Sequence, residues 1–232
     1  MTFVGLLILA AGLFVMAVAS YPLLVRLKAG RHQLQVFTAL RYRNFRWFWI
    51  NAATQSMAQG MQFLVLGLLV LDVTGSSIQL GLVAFIYGTP NLLFSMLGGI
   101  IADRSDRLRL LISTRFGVSV LVLALAIMKI FGVLEIWHVY VIMFLLGTVQ
   151  ALNNPARQAL VADLVERKDM MNAVALHTMV NQSGQIVGPA LAGGIIELAG
   201  TGPALLVNAG MYLAGIFFLF LIKDLPPRAP GP

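Results

Sequence analysis

Amide side chains recur along one predicted helix at a spacing that places them on a single face. Asn51, Gln55, Gln59 and Gln62 follow one another at intervals of four, four and three residues, and residues three or four apart share a helix face. Amides in hydrocarbon cost free energy unless they find hydrogen-bond partners. Two chemistries remain open: binding of a small polar molecule in a cavity, or hydrogen bonding between helices that holds a bundle together.

Two later predicted helices carry further polar side chains at similar spacing. They are Gln150, Asn153 and Asn154 in one helix, and His177, Asn181 and Gln185 in the next. Catalysis has less support, because the chain has no cysteine and its three histidines lie far apart, without the spacing of metal ligands. No nucleophile-elbow or phosphate-loop motif occurs. We therefore expect no enzyme, no metal and no cofactor.

Composition places the chain in a lipid bilayer. The 232 residues are 59% hydrophobic and 11% charged, with a mean hydropathy of +0.88, far more apolar than a soluble domain. The net charge of +7 comes from basic residues at the ends of apolar runs, where they set topology. We therefore expect a membrane protein that does not bind nucleic acid.

Seven apolar runs are long enough to span a bilayer at about 1.5 Å per residue. We interpret residues 1–25 as an extra anchor helix with its N-terminus outside, since no basic stretch precedes it as in a signal peptide. Residues 26–46 are basic and aromatic, which predicts an interfacial segment, with a solvated linker as the alternative. The six later spans lie within residues 47–222, at 47–71, 78–101, 108–131, 136–154, 171–197 and 203–222.

The basic residues orient these spans. With the anchor running inward, all but one of the 16 Lys and Arg residues fall at or near the cytoplasmic side, as short loops rich in Lys and Arg do. Lys129 is the exception. The proline-rich residues 223–232 then form a cytoplasmic tail, so the C-terminus is expected inside.

The densest charge cluster joins the second and third of the six spans. Its charged residues are Asp103, Arg104, Asp106, Arg107 and Arg109. Gly98 and Gly99 before it permit close backbone approach, while Asp103 can cap the next helix or pair with an arginine. The pattern Gly99-x-x-x-Asp103-Arg104-x-x-Arg107 resembles the signature loop between helices 2 and 3 of the major facilitator superfamily. A generic positively charged turn is the alternative.

A second glycine-rich motif lies in the fifth of the six spans. Gly184, Gly188, Pro189 and Gly193 predict a bent helix that a neighbour approaches closely. They resemble the G-P-x-x-G-G motif of facilitator antiporters, and ordinary small-residue packing is the alternative. The run Pro155-Ala156-Arg157 is similar to the inner loop of siderophore-exporter-like members, and the chain as a whole most resembles the siderophore-exporter-like and drug-exporter-like branch.

The resemblance implies an all-α integral membrane fold in a bacterial cytoplasmic (inner) membrane. Its core would be a six-helix half-bundle built as a 3+3 inverted repeat, preceded here by the extra helix. The repeat of Gly98-Gly99-Ile100-Ile101 as Gly193-Gly194-Ile195-Ile196 is modest support. The resemblance also implies that Asp103, Arg104 and Arg107 latch an inner gate.

The resemblance further implies where a substrate binds. In the family, helices 1 and 4 line a central cavity, and we expect the amides to contact substrate there. The candidate residues are Asn51, Gln55, Gln59, Gln62, Gln150, Asn154, Asn181 and Gln185. No acidic residue is expected in mid-membrane, and no arginine inside the fourth span, so proton antiport by this half alone is not expected.

The predicted function is therefore transport of a small molecule. A half-size facilitator must pair with a second copy or a separate half to enclose a path. The alternative is a non-transporting subunit of a larger membrane complex, favoured by the missing half, the lack of a buried charge and the added anchor. A truncated piece of a full transporter is the third reading.

Overall fold

Hydrophobic runs separated by short polar turns fold into a helical bundle. The computed structural model describes residues 35–222, apart from the side chains of residues 35, 36, 102 and 103. The predicted anchor, most of the basic segment and the proline-rich tail lie outside the described residues. The long helices are α1 (Arg43–Thr74), α2 (Ser77–Arg104), α3 (Arg107–Ile130), α4 (Ile136–Asp163), α5 (Met170–Ala199) and α6 (Thr201–Phe220).

The six helices coincide with the six later spans of the sequence. Five of them, all but α5, are long and apolar enough to cross a membrane. Helix α5 is also long enough, but its polar side chains give it a lower mean hydropathy than the other five helices have. Within residues 35–222 no strand occurs. The chain is thus an all-α integral membrane protein.

Two predicted boundaries were wrong. The first helix begins at Arg43, four residues before the expected start. The fourth continues to Asp163 instead of ending at residue 154, although Pro155 lies inside it. The helix continues because Ala156 and Leu160 beyond the proline are fully buried in an apolar cluster, and that burial offsets the lost backbone hydrogen bond.

Local chemistry closes the turns. Gly75 ends α1 with φ of 62°, a left-handed conformation that favours glycine. At the other end of the bundle, the carboxylate of Asp106 accepts from the backbone N–H groups of Leu108 and Arg109, so it caps α3. The prediction that Asp103 could be this cap was wrong, because α2 extends through Arg104. We call the end with the α2–α3 and α4–α5 turns the inner end, and the opposite end the outer end.

Neighbours in the chain are not the main packing partners. The most extensive contacts join α1 to α5, α2 to α4 and α3 to α6, followed by α1 to α6 and α3 to α4. By contrast, α1 and α2 barely touch despite the short turn between them. Each of the pairs α1–α5 and α2–α4 therefore consists of helices that run in the same direction.

Glycines permit the close approach of α1 and α5. A Cβ atom on Gly188 would lie 2.3 Å from the carbonyl oxygen of Met57, and one on Gly184 would lie 2.7 Å from the amide nitrogen of the same residue. On the opposite helix, a Cβ on Gly60 would lie 2.9 Å from Cδ of Pro189. Only glycine fits at such contacts.

The α2–α4 pair uses a glycine from each helix. A Cβ on Gly147 would lie 2.1 Å from the carbonyl oxygen of Tyr87 and 2.9 Å from Cγ of Pro90. A Cβ on Gly98 would lie 2.3 Å from the carbonyl oxygen of Ala151. Gly99, which was expected to permit close approach as well, has nothing within 4 Å of a built Cβ.

The repeated four-residue motif does not correspond to repeated packing. Gly98 is buried against α4, whereas a Cβ on Gly193 would meet nothing within 4 Å. The expectation that Gly193 also serves close packing was therefore wrong. Large apolar side chains such as Phe63, Ile78 and Met96 are more than four-fifths exposed, as suits a surface in contact with lipid rather than water.

Candidate functional site

A cavity of about 540 Å³ lies in the half of the bundle nearer the outer end. Every one of the six helices contributes at least one lining residue, and the walls are mainly apolar. Its polar lining comprises Gln59, Gln62, Tyr87, Gln150, Gln185 and Tyr212. A mostly apolar cavity of this size with a few convergent polar groups is typical of a small-molecule site.

The polar groups of the cavity are joined in part to one another. Tyr212 Oη of α6 donates to Gln62 Oε1 of α1, and Gln150 Nε2 donates to Asn154 Oδ1 one turn further along α4 at 3.0 Å. These bonds orient two amides that face the cavity. A ligand would find hydroxyl and amide groups already positioned.

Four of the eight predicted substrate residues do not line the cavity. Asn51 is buried and donates to the carbonyl oxygen of Gly215 in α6 at 2.7 Å, so it joins helices. Gln55 is fully buried, and both polar atoms of its amide lack a partner. Asn154 accepts from Gln150, and Asn181 accepts from Arg157 at 3.4 Å.

Other polar contacts between helices complete the bundle. Ser56 Oγ donates to the carbonyl oxygen of Val180 at 3.1 Å, and Asn153 Nδ2 donates to Thr114 Oγ1 at 2.8 Å. Asn208 Nδ2 donates to the carbonyl oxygen of Ala58 at 2.7 Å. For these residues, hydrogen bonding between helices describes the structure better than substrate contact does.

The charged inner turn is tied to α4. Arg107 Nη1 lies 2.7 Å from Asp163 Oδ2 and also donates to the carbonyl oxygen of Ala159 at 3.1 Å. The start of α3 is thereby fixed to the end of α4. Sequence reasoning missed Asp163 as the partner because it placed the end of α4 nine residues earlier.

The other predicted gate residues are more exposed. Arg104 ends α2 on the surface, and Arg109 lies 3.4 Å from Asp106 in a solvent-exposed pair. The side chain of Asp103 lies outside the described residues. Among the described gate residues, Arg107 alone makes a charged contact to another long helix.

The expectation that the bundle lacks a buried charge was wrong. Arg115 in α3 is only 1% exposed, and its Nε and Nη1 atoms have no hydrogen-bond partner. Arg157 lies inside α4, contrary to the expectation for the fourth span, and its Nε is also buried without a partner. The spacing of Arg107, Leu111 and Arg115 on one helix face was a signal that could have found the first of these.

A tyrosine anchors the inner end of α1. Tyr42 Oη donates to Asp169 Oδ2 at 2.8 Å, just before α5 begins. Desolvation and this hydrogen bond raise the pKa of Tyr42 above its usual value. At the outer end, Lys129 lies 2.6 Å from Asp72 and joins α3 to α1.

The fold and cavity define a polytopic helical membrane protein with an internal cavity. Residues 34–229 match the family described as transmembrane secretion effector. The chain belongs to this family, within the major facilitator superfamily, and the predicted resemblance to its siderophore-exporter-like and drug-exporter-like branch is confirmed.

Several curated relatives share this similarity. The chain is 30% identical over 167 residues to the staphyloferrin A transporter of Staphylococcus aureus, over 69% of this chain and 42% of that protein. It is 28% identical to the enterobactin exporter EntS of Salmonella choleraesuis, over 69% of this chain and 38% of that protein. It is 26% identical to the uncharacterized MFS-type transporter YfiS of Bacillus subtilis, over 69% and 37% respectively. The match thus spans about two fifths of each relative.

Proposed function

We propose that this six-helix bundle forms one half of an exporter that moves a small molecule across the bacterial inner membrane by alternating access. The cavity carries the proposal, because it gathers glutamines from α1, α4 and α5 and tyrosines from α2 and α6 around one mostly apolar space. The relatives named staphyloferrin A transporter and enterobactin exporter support transport, and the second name supports export.

The pattern of helix contacts supports an inverted repeat within the bundle, and such a repeat fits the same mechanism. Exchanging α1 with α4, α2 with α5 and α3 with α6 converts the pair α1–α5 into α4–α2 and the pair α1–α6 into α4–α3, and it leaves α3–α6 unchanged. These are the pairs with the most extensive contacts. In addition, Gly60 meets Pro189 across one pair as Gly147 meets Pro90 across the other. Transporters with such repeats alternate between two openings.

A second six-helix unit would complete the cavity. Phe63 lines the cavity yet is 82% exposed, so the cavity is open at one side of the bundle. Either a second copy of this chain or a separate six-helix unit would close that side. Native mass spectrometry of gently extracted protein distinguishes the two, and a species containing only one six-helix unit would contradict the pairing.

Arg107 is the group best placed to act at an inner gate. Its bond to Asp163 holds the α2–α3 turn against α4, and breaking it would free that turn. We therefore assign Arg107 and Asp163 the latch role, with Arg104 exposed beside them. The positively charged inner turn supports a cytoplasmic location for both ends of the bundle.

Site-directed cysteine labelling tests the proposal, since the chain has no native cysteine. Gln185→Cys places a thiol in the cavity, and the adjacent Ile186→Cys, on a side chain 76% exposed on the outside of the bundle, serves as the matched control. We expect a water-soluble maleimide to label Gln185→Cys from both sides of the membrane and to leave Ile186→Cys unlabelled.

Topology and gating have their own readouts in the same assay. Ser105→Cys in the inner turn should react only from the cytoplasmic side, and Val133→Cys in the α3–α4 turn only from outside. Arg107→Gln should increase the labelling of Gln185→Cys from the cytoplasmic side. Labelling of Gln185→Cys from one side alone, with or without Arg107→Gln, would contradict alternating access.

A further inference from the structure

A layer of unpartnered polar groups lies beside the inner side of the cavity. Arg115 starts the third turn of α3, roughly 12 Å along the helix from Arg107. Its side chain is 1% exposed, and two of its nitrogens have no partner. A buried charge without a counter-ion costs several kcal/mol as an order of magnitude. Such a group in a membrane bundle is a functional-site hypothesis by default.

Among the residues that the structure describes, no internal carboxylate neutralises Arg115. The acidic side chains that the structure describes all lie in the first or last turn of a long helix, beside its cap or between helices. They are Asp72, Asp106, Glu135, Asp163, Glu166, Asp169 and Glu197. Arg157, which is half-buried with its Nε enclosed, lies near Arg115. The described interior therefore carries positive charge alone.

The contacts between helices place Gln55 at the level of Arg115. In the antiparallel pair α1–α6, Asn51 meets Gly215 and Asn208 meets Ala58, so residue 55 lies level with residue 211. In the antiparallel pair α3–α6, Ser119 meets Ala209 at 3.0 Å. Residue 115, one turn earlier, thus lies level with residue 213.

Three unpartnered groups therefore lie in one layer of the bundle. Both amide atoms of Gln55 lack partners, as does Oδ1 of Asn153, which is tied to Thr114 beside Arg115. Tyr87 and Tyr212 line the inner side of the cavity, which we call its floor, and both phenols lie near Arg115. The backbone of Tyr212 is level with the layer, between residues 211 and 213, so the positive charge lies beside the floor.

We propose that Arg115, with Gln55, forms an anion subsite at the base of the cavity, and that the transported molecule carries an oxyanion such as a carboxylate. The assignment rests on the proposed transport function and names its substrate class. The guanidinium attracts the oxyanion to the floor, and Gln55 supplies an N–H donor to it when the phenols move aside. Arg157, nearer the inner end, extends the positive potential toward the cytoplasm.

Equilibrium dialysis with two probes of the same shape tests the subsite. The probes are 1-naphthoate, which is an anion, and 1-naphthamide, which is neutral, with the full chain in nanodiscs of zwitterionic lipid. We expect naphthoate to bind roughly tenfold more tightly, as one charge-assisted hydrogen bond provides. Arg115→Gln should remove this preference without weakening naphthamide, Arg115→Lys should retain much of it, and Arg167→Gln, on an exposed turn, should leave it unchanged.

A second variant protects the test against misfolding of Arg115→Gln. Gln55→Glu keeps the side-chain size and supplies an internal carboxylate at the level of Arg115, so it should also reduce naphthoate binding to that of naphthamide. Persistence of the preference in either folded variant would overturn the subsite. Equal binding of the two probes by the natural chain would overturn it too, while leaving the transport cavity standing.

The source of the anion is resolved in the same experiment. Adding an anionic phospholipid to the nanodiscs should leave naphthoate binding intact if the site serves a soluble molecule. Displacement of naphthoate by that lipid would mean a headgroup site and would overturn the proposal. Failure of both probes to bind would overturn the cavity function together with the subsite, whereas the cysteine-labelling assay reports on transport independently of charge.

Discussion

The pairs α1–α5 and α2–α4 achieve the same close approach with different residues. In α1–α5, two glycines on α5 meet the backbone of α1 around Met57. In α2–α4, each helix contributes one glycine, at Gly98 and Gly147. Both pairs also place a glycine against a proline. The two pairs therefore share the glycine–proline contact and differ in the positions of their other glycines.

The two pairs also differ in how their ends are tied. Tyr42, just before α1, bonds to Asp169, just before α5, at the inner end. Tyr140 in the first turns of α4 bonds to Gln79 in the first turn of α2 at the outer end. Each pair is thus anchored by a tyrosine hydroxyl where its helices begin. The glycine contact follows 18 residues after Tyr42 at Gly60, but only seven after Tyr140 at Gly147.

Gly188→Ala should give the largest loss of stability. The new Cβ would lie 2.3 Å and 2.7 Å from backbone atoms of α1, which cannot rotate away, so we expect a loss of at least about 3 kcal/mol or failure to assemble. Thermal unfolding in detergent measures it. The matched control Gly193→Ala, with open space around it, should gain up to about 1 kcal/mol from helix propensity. Equal effects at the two positions would contradict the packing described here.

Gly147→Ala should destabilise the protein nearly as much as Gly188→Ala does if the α2–α4 and α1–α5 pairs are equivalent. Its Cβ would lie 2.1 Å from the carbonyl oxygen of Tyr87, so the expected loss is again about 3 kcal/mol. The control is Gly117→Ala in α3, where nothing lies within 4 Å of a built Cβ. A small effect at Gly147 beside a large one at Gly188 would show that only the α1–α5 pair needs close approach.

Ser56→Ala should have a moderate effect. It removes the side-chain bond between α1 and α5 at Val180, worth about 0.6 kcal/mol for hydrogen bonds inside membrane bundles. Tyr140→Phe, which removes the half-exposed bond of the other pair, should cost less. The same unfolding assay ranks the two variants, and a larger loss for Tyr140→Phe would reverse the proposed order.

The smallest effect should be a pH dependence at the inner end. Because the pKa of Tyr42 is raised in the folded state, its contribution is fully present below pH 10 and is lost as the pH rises through the folded value. We expect the unfolding temperature of the natural chain to fall more steeply above pH 10 than that of Tyr42→Phe. Parallel curves would show that the Tyr42–Asp169 bond does not contribute.

Much of the fold was predictable because hydrophobic length and turn chemistry are local properties. The six spans and the turn at Gly75 follow from apolar runs and a residue suited to positive φ. The extent of α4 could not be predicted, because Pro155 favours a helix boundary. The helix continues only because Ala156 and Leu160 beyond the proline are buried in an apolar cluster.

The candidate site was predictable only in part. Helical spacing gave the polar stripe of α1, and Gln59 and Gln62 line the cavity. The same spacing does not predict that Asn51 bonds to α6 instead of lining the cavity. The direction in which a polar stripe faces depends on which helices surround it.

The sequence by itself determined the environment, the helices and the family of this chain, because hydropathy, charge asymmetry and short motifs act over a few turns. Only the tertiary structure decided which glycines are required, which amides face the cavity and that Arg115 is buried without a counter-ion among the described side chains. Those properties depend on helices far apart in the chain. They arise only when helices distant in the sequence pack together, so the sequence of one span does not predict them.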